Sequence, residues 1–248
     1  MPRFFVTSEQ INDGAITLVG ADAHHVARSL RMAVGDEITV LDGAGREYTC
    51  AIASFDEDAA VKATILSVGQ QESEPPLFIT LYQALPKGDK LDTVIQKAVE
   101  CGVSRIVPFE SERCIVRAKP EAEEKKQLRR QRIADEAAKQ CGRGILPEVA
   151  STCSFAAMIE AARHNDAVLF CFEGEGTTPI GQLLHSLDLG TTRRVGLVVG
   201  SEGGFALKEA ETAKSAGFYM TGLGKRILRT ETAPLFALSC ISLVSELS

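Results

Sequence analysis

The strongest constraint in this sequence is a change of rhythm at a diproline. Up to residue 72 the chain runs as short β-type stretches at close spacing. Beyond Gln70-Gln71-Glu72-Ser73-Glu74-Pro75-Pro76 it alternates apolar strands with helix-length amphipathic stretches. Proline has no backbone N–H and restricts the residue before it, so a polar run ending in two prolines reads as a linker. The reading is therefore two domains, residues 1–72 and 73–248.

In the first part the strand-like runs are Arg3–Val6, Ala15–Val19, Glu37–Leu41, Glu47–Ser54 and Val61–Val68. Asn12-Asp13-Gly14 and Asp42-Gly43-Ala44-Gly45 are turn signals between them. One helix, from Asp22 to Leu30 with Asp22 as its N-cap, interrupts the series. Several short strands in about seventy residues indicate a small β-barrel.

The second part reads as strand Leu77–Leu85, helix Asp89–Cys101, strand Arg105–Phe109 and a long charged helix Pro120–Cys141. Helix Ser154–His164, strands Ala167–Phe172 and Val195–Val199, and helices Leu207–Ala216 and Thr232–Leu247 follow. In Asp89–Cys101 the residues Leu91, Val94, Ile95, Ala98 and Val99 share one face, and Gly102 closes the helix. Strands that are apolar throughout and alternate with helices indicate an α/β fold with a parallel sheet.

A chain of 248 residues that is 45% hydrophobic and 24% charged buries a core and is not disordered. No stretch approaches the ~20 apolar residues of a membrane-spanning helix. Met1-Pro2-Arg3-Phe4-Phe5-Val6 turns polar at Thr7, which is not the h-region of a signal peptide. The seven cysteines include no C-x-x-C pair, and with four scattered histidines they suggest reduced thiols in a cytoplasmic protein without a metal.

Charge is distributed unevenly. The net charge of -6 argues against a general polyanion binder, and residues 1–72 carry all of it, with five basic residues against eleven acidic ones. Between residues 113 and 143 stand ten basic residues (Arg113, Arg117, Lys119, Lys125, Lys126, Arg129, Arg130, Arg132, Lys139, Arg143) and five acidic ones. This run reads as a solvated helix face of mixed charge. Clustered cations are also what a phosphate ligand needs, whatever the overall pI.

Two glycine turns point to a small-molecule site. In open α/β sheets ligands bind beyond the carboxyl ends of the strands. Val195–Val199 runs straight into Gly200-Ser201-Glu202-Gly203-Gly204-Phe205, where glycines let the backbone come close to a ligand. Neither G-x-G-x-x-G nor G-x-x-x-x-G-K-[ST] occurs, so the dinucleotide and P-loop readings lack their fingerprints. The second turn, Thr221-Gly222-Leu223-Gly224-Lys225-Arg226-Ile227-Leu228-Arg229-Thr230-Glu231-Thr232-Ala233, leads into the last helix. Helix capping by Thr230 or Thr232, with Pro234 in the first turn, accounts for the threonines. It leaves Arg229 and Glu231 unexplained, and these suggest function.

Five motifs in order carry a family resemblance: His24-His25-Val26-Ala27-Arg28-Ser29-Leu30-Arg31 followed by Gly35-Asp36; Lys87-Gly88-Asp89-Lys90; Gln96-Lys97-Ala98-Val99-Glu100-Cys101-Gly102-Val103; Gly200–Phe205; and Leu223–Ala233. Together they resemble the bacterial 16S rRNA uridine-N3 methyltransferases of the SPOUT superfamily, over nearly the whole chain. Ser201 stands where that family usually has proline, Cys141 where it has serine, and Cys101 where leucine is common. The resemblance implies a PUA-like RNA-binding barrel followed by an α/β domain with a deep trefoil knot. It also implies a homodimer, S-adenosylmethionine as methyl donor, and N3 of one uridine in the decoding region of 16S rRNA, free or in the small ribosomal subunit, as target.

The chemistry sets the roles. Methyl transfer from a sulfonium is an in-line displacement that needs positioning and no metal. Uracil N3 carries a proton that a base must take, or whose departure leaves an anion to be stabilised. Arg229 is the candidate for holding that developing charge. Glu231 is either the base or the ion-pair partner that orients Arg229. The cofactor is expected at Gly200, Ser201, Glu202 and Gly203 of the first turn and at Leu223, Gly224, Ile227, Leu228, Arg229, Thr232 and Ala233 of the second, with Leu169 and Phe170 as a further wall. RNA is expected at Arg3, His24, Arg28, Arg31, Lys87, Lys90, Lys97, Arg113 and Arg143, with Arg28 and Arg31 three apart on one helix face. The last helix, apolar on most sides through Leu235, Phe236, Leu238, Ile241, Leu243, Val244 and Leu247, fits a core or a dimer interface. A methyltransferase of the same superfamily acting on another RNA nucleotide, a non-catalytic RNA-binding module and a doubly wound nucleotide-dependent enzyme are the alternatives. The last two lack, respectively, a use for the glycine turns and a phosphate fingerprint.

Overall fold

The structure, a computed structural model, describes residues 1–56, 60–118, 120–188 and 191–247. Packing gathers the chain into two compact units. One comprises Met1–Glu74 with Ala138–Leu146, the other Pro75–Ala137 with Pro147–Ser248.

The first unit contains β1 (Arg3–Phe5), β2 (Ile11–Asn12), β3 (Ala15–Leu18), α1 (Gly20–His24), β4 (Glu37–Leu41), β5 (Arg46–Phe55) and β6 (Val61–Gln70). The six strands form one sheet in the order β1-β4-β5-β6-β3-β2. Along β5, Tyr48, Cys50 and Ile52 are buried while their neighbours are not, the period-two pattern of a strand with one face on a core. Pairing with β6 shifts register between Thr49 and Cys50 and again between Ile52 and Ser54. Such bulges bend and twist a strand, and residues from both ends of the sheet, Phe4 and Ile16 among them, share one core with Ile38, Val40 and Val61.

The helix expected over Asp22–Leu30 differs in detail. It starts at Gly20 with Val19 at its N-cap, so Asp22 lies inside the first turn. The Asp22 carboxylate accepts a hydrogen bond from Lys139 Nζ at 2.8 Å instead of capping. From His25 to Ser29 the coil widens, the Leu30 N–H bonding to the His25 carbonyl, and Arg31 then takes φ 53° and leaves the helix. Arg28 and Arg31 therefore do not share a regular helix face.

Ala138–Leu146 joins this unit through polar contacts. Glu74 receives Arg143 Nε at 3.0 Å and Nη2 at 2.7 Å, and also the Gly144 N–H at 2.7 Å. Gln71 Nε2 and Ser73 Oγ donate to the Gly142 carbonyl. No local sequence pattern marks this stretch as part of the N-terminal unit.

The second unit contains β7 (Phe78–Ala84), α2 (Lys90–Glu100), β8 (Arg105–Glu110), α3 (Pro120–Cys141, up to Ala137), β9 (Glu148–Val149), β10 (Cys153–Ser154), α4 (Phe155–Ala162), β11 (Ala167–Cys171), β12 (Thr178–Pro179), α5 (Ile180–Ser186), β13 (Arg194–Val199), α6 (Leu207–Ser215), β14 (Tyr219–Gly222) and α7 (Ala233–Ser245). The sheet order is β10-β8-β7-β13-β11-β14-β12 with β9 beside β8, and every pair is parallel. The five apolar residues read on one face of α2 are the ones it buries. Gly102, at φ 88°, ends that helix while the Val103 N–H returns to the Ala98 carbonyl. Strand β14 and helix α5 carry weak sequence signals. Tyr219 is 42% exposed, so β14 lacks an apolar run, and α5 is seven residues long with no side-chain cap.

Candidate active site

Three neighbouring parallel strands, β13, β11 and β14, end on the same side of the sheet and release Gly200, Phe172 and Leu223. Their carboxyl ends enclose a cleft of about 510 Å³, the position at which open α/β sheets hold ligands. Of the expected cofactor residues, Gly200, Ser201, Glu202, Leu223, Gly224, Ile227, Leu228, Arg229 and Ala233 line it.

The others stand elsewhere, each for a physical reason. Leu169 and Phe170 are fully buried in β11, where Phe170 packs on Phe205 with ring centroids 4.2 Å apart. The wall they were expected to form is supplied by the next residues along, Cys171, Phe172 and Glu173, with Thr177. Gly203 faces Arg113, whose Nη1 donates to the Gly203 carbonyl at 3.0 Å. Thr232 is exposed at the N-cap of α7 without a side-chain capping bond. Thr230 does not cap either: its hydroxyl donates to the Gly200 carbonyl at 2.8 Å and ties the second turn to the first. Local sequence gives no cue to the wall of residues 171–177, because the strand end and the following loop carry no motif.

Gly200 and Gly224 serve their turns in different ways. A Cβ at Gly200 would stand 3.2 Å from the Phe205 ring and 3.3 Å from Gly204 Cα, so this glycine serves the tight turn and not an approaching ligand. At Gly224 the space is open but φ is 105°, a conformation that side chains rarely adopt.

Charge at the rim is organised by Lys90. Its ammonium lies 2.9 Å from Glu202 Oε1 and 3.4 Å from Glu231 Oε2. Glu202 also accepts the Lys87 N–H at 3.1 Å. Burial raises the Glu202 pKa, but the Lys90 hydrogen bond and the backbone N–H donors outweigh it and hold the carboxyl below its ordinary value. The bond that Lys90 donates to Glu202 is the main cause of the raised Lys90 pKa. Glu231 thus belongs with Lys90, and the Arg229–Glu231 ion pair considered from sequence is not formed. Arg229 is exposed on the cleft wall, and its guanidinium makes no hydrogen bond or ion pair among the described residues. Ser201 Oγ is buried on the same wall without a partner. Burial pushes the pKa of the Cys171 thiol up to about 12.

Sequence comparison places this geometry. A profile of RNA methyltransferase domains matches residues 73–242, and one of RNA methyltransferase PUA domains matches residues 18–63. The chain is 33% identical over 254 residues to ribosomal RNA small subunit methyltransferase E of Bacillus subtilis, across 100% of this chain and 98% of the relative. The chain belongs to the ribosomal RNA small subunit methyltransferase E family. The family member from Synechocystis is 35% identical, across 98% of this chain and 78% of that protein. Two solved structures share the fold over nearly their full length. A Legionella pneumophila methyltransferase with bound cofactor SAM has a TM-score of 0.84 at 31% identity, covering 97% of this chain and 96% of that one. The Neisseria gonorrhoeae family member bound to S-adenosylmethionine has a TM-score of 0.81 at 33% identity, covering 98% and 97%. The N-terminal unit is therefore a PUA domain and the C-terminal one an α/β methyltransferase domain of the SPOUT type.

Against this family background the expected RNA-facing residues divide. In the first unit His24, Arg28 and Arg31 are exposed, and neither arginine is paired among the described residues. Arg3 pairs with Glu47 at 3.1 Å. Arg143 is 4% exposed and held by Glu74, which makes it a structural cation and not one offered to a phosphate. In the second unit Lys87 is exposed, Lys90 serves the cleft, Lys97 pairs with Glu100 at 2.8 Å and Arg113 braces the first turn. Within the basic run, Arg117, Arg129, Arg130, Lys139 and Arg143 are committed to carboxylates. Lys119 lies outside the described residues. Among those residues no group of His, Cys, Asp or Glu is arranged to hold a metal, and no helix is long and apolar enough to cross a membrane.

Proposed function

We propose that this protein is an S-adenosylmethionine-dependent methyltransferase acting on N3 of a uridine in the decoding region of 16S rRNA. The observation that carries the reading is the cleft at the ends of β13, β11 and β14, with an unpaired arginine on its wall. A non-catalytic RNA-binding module has no use for that cleft.

The cleft suits the cofactor. Its volume lies in the range of small-molecule sites, its walls are glycine turns that present backbone N–H and C=O groups, and Ser201 Oγ is a buried polar atom awaiting a partner. When bound, S-adenosylmethionine supplies an electrophilic methyl group on its sulfonium. The chain does the rest. Arg229 offers its guanidinium to the negative charge that develops on the uracil as N3 loses its proton. Glu231, whose Oε2 is paired with the Lys90 ammonium at 3.4 Å, is the carboxylate offered to that proton. Lys90 holds Glu202 and Glu231 together and so fixes the rim that both turns share.

The proposal extends to the assembly. On α7, Phe236 and Leu243 are 38% and 57% exposed at a spacing of seven, and Leu247, just past the helix, is 74% exposed, apolar surface that suits a second copy of this chain. A cytoplasmic homodimer with the knotted connection of the SPOUT superfamily completes the reading. The test is to incubate the protein with labelled S-adenosylmethionine and either free 16S rRNA or small subunits, then map the product by nuclease digestion and mass spectrometry. The expected product is a single N3-methyluridine in the decoding region. Label at a different base, or none with either substrate, refutes it.

A further inference from the structure

Residues 223–231 carry Arg229 and are largely exposed, Ile227 to 81%. Among the described residues, side chains link this segment to the rest of its unit by polar contacts at two places: Lys90 to Glu231 at the rim, and Thr230 beneath.

Thr230 is 5% exposed, and its neighbour Gln83 is completely buried near the end of β7, in register with Val199, the residue before Gly200. Gln83 Nε2 donates to Thr230 Oγ1 at 3.1 Å, to the Ala84 carbonyl at 3.0 Å and to the Gly200 carbonyl at 3.3 Å. Thr230 Oγ1 in turn donates to the same Gly200 carbonyl at 2.8 Å. The amide has one sensible orientation, because exchanging its oxygen and nitrogen would set an oxygen against two carbonyls. In that orientation Oε1 is buried without a partner. A methionine would fill this core position without the orphaned oxygen, but it would also take a donor from three acceptors, so the amide is kept here for the bonds its Nε2 makes.

We infer that Gln83 and Thr230 are positioning residues: through the Gly200 carbonyl they fasten the second cleft turn to the first, and so set where Arg229 stands. The inference rests on the role proposed above for Arg229. A displacement of about 1 Å at a catalytic group is enough to lower turnover by as much as ~100-fold.

The test uses the full-length protein, S-adenosylmethionine and rRNA, with kcat and KM for RNA measured separately. Thr230→Val keeps the shape and removes the hydroxyl; it lowers kcat by about 10- to 100-fold while KM for RNA changes by less than about twofold. Thr230→Ser recovers most of that loss. Gln83→Met loses turnover too, and the double variant is no worse than Thr230→Val because both residues act through one carbonyl. Wild-type kcat in Thr230→Val, equal losses in the Val and Ser variants, or additive losses in the double variant overturn the inference. Where Thr230→Val does not fold, Gln83→Met decides, and wild-type kcat there is equally fatal. Arg229→Ala separates the two levels. Normal turnover in it refutes the role of Arg229, whereas a loss in it with none in Thr230→Val refutes the positioning alone.

Discussion

Replacing Gly224 by alanine isolates the conformational demand of the cleft from its steric demand. The glycine has φ 105° and nothing within 4 Å of where a Cβ would stand. The added methyl group meets no atom, so the whole effect is the cost of holding an L-residue at positive φ, roughly 1–2 kcal/mol. Residues 224–227 are exposed, and the expectation is that an alanine at 224 lets them relax to negative φ when no ligand holds the turn. The melting temperature therefore hardly moves, and the cost falls on the bound form, which requires the turn as built. Since 1.4 kcal/mol is a factor of ten, Kd for S-adenosylmethionine rises by about 5- to 30-fold. Gly200→Ala makes the control. Its Cβ presses on Phe205 and Gly204, so it lowers thermal stability as well as affinity. Calorimetric titration paired with thermal unfolding reads both quantities. An unchanged Kd in Gly224→Ala, or a melting shift as large as that of Gly200→Ala, refutes the reasoning.

Arg229→Ala is expected to lower turnover by ~10²–10³ with near wild-type S-adenosylmethionine affinity; single-turnover assays and calorimetry check this, and normal rRNA methylation defeats it. Replacing both Arg28 and Arg31 with alanine lowers the slope of log K against log[salt] for RNA by about 2 on duplex and less on single strands, and equal slopes would move the RNA site elsewhere. The lowered pKa of Glu202 means that its hold on Lys90 is fully present above the ordinary carboxylate value and is lost only as pH falls through the lower folded one. S-adenosylmethionine affinity measured against pH should stay level down to about pH 4.5, and a fall near pH 6 would disprove that. Glu74→Ala leaves a buried guanidinium without its carboxylate and costs about 3 kcal/mol in denaturant unfolding; a loss below about 1 kcal/mol shows that the pair is dispensable.

Sequence reasoning reached furthest where a local pattern has one physical solution. The face of α2 and the apolar β13 were legible because helix period and continuous burial leave few alternatives. The two turns of the cleft were legible from glycines beside charged residues. What escaped was set by neighbours distant in sequence. Strand β14 exists because β11 offers it an edge, and Thr230 looks like a cap until Gly200, thirty residues earlier, takes its hydroxyl. The charge of Arg143 suggested a phosphate contact, but only the fold shows Glu74 against it. Arg28 and Arg31 have helical spacing, yet the widened coil at His25–Ser29 and the positive φ of Arg31 undo it.

The membership of Ala138–Leu146 in the N-terminal unit has a consequence for how the chain is made. When Glu74 leaves the ribosome, the partners that complete its surroundings, Arg143 and the Gly144 N–H, have yet to be synthesised. At bacterial-type elongation rates that interval is roughly 4–14 seconds. The nascent first unit must wait through it with an unfinished surface while more than a third of the next unit emerges. A fragment cut at the diproline would remain in that unfinished state, and extending it to residue 146 would bring along two strands, α2 and most of α3, which belong to the other unit. The PUA domain of this protein is therefore finished only when synthesis reaches residue 146, well beyond its own first seventy-four residues.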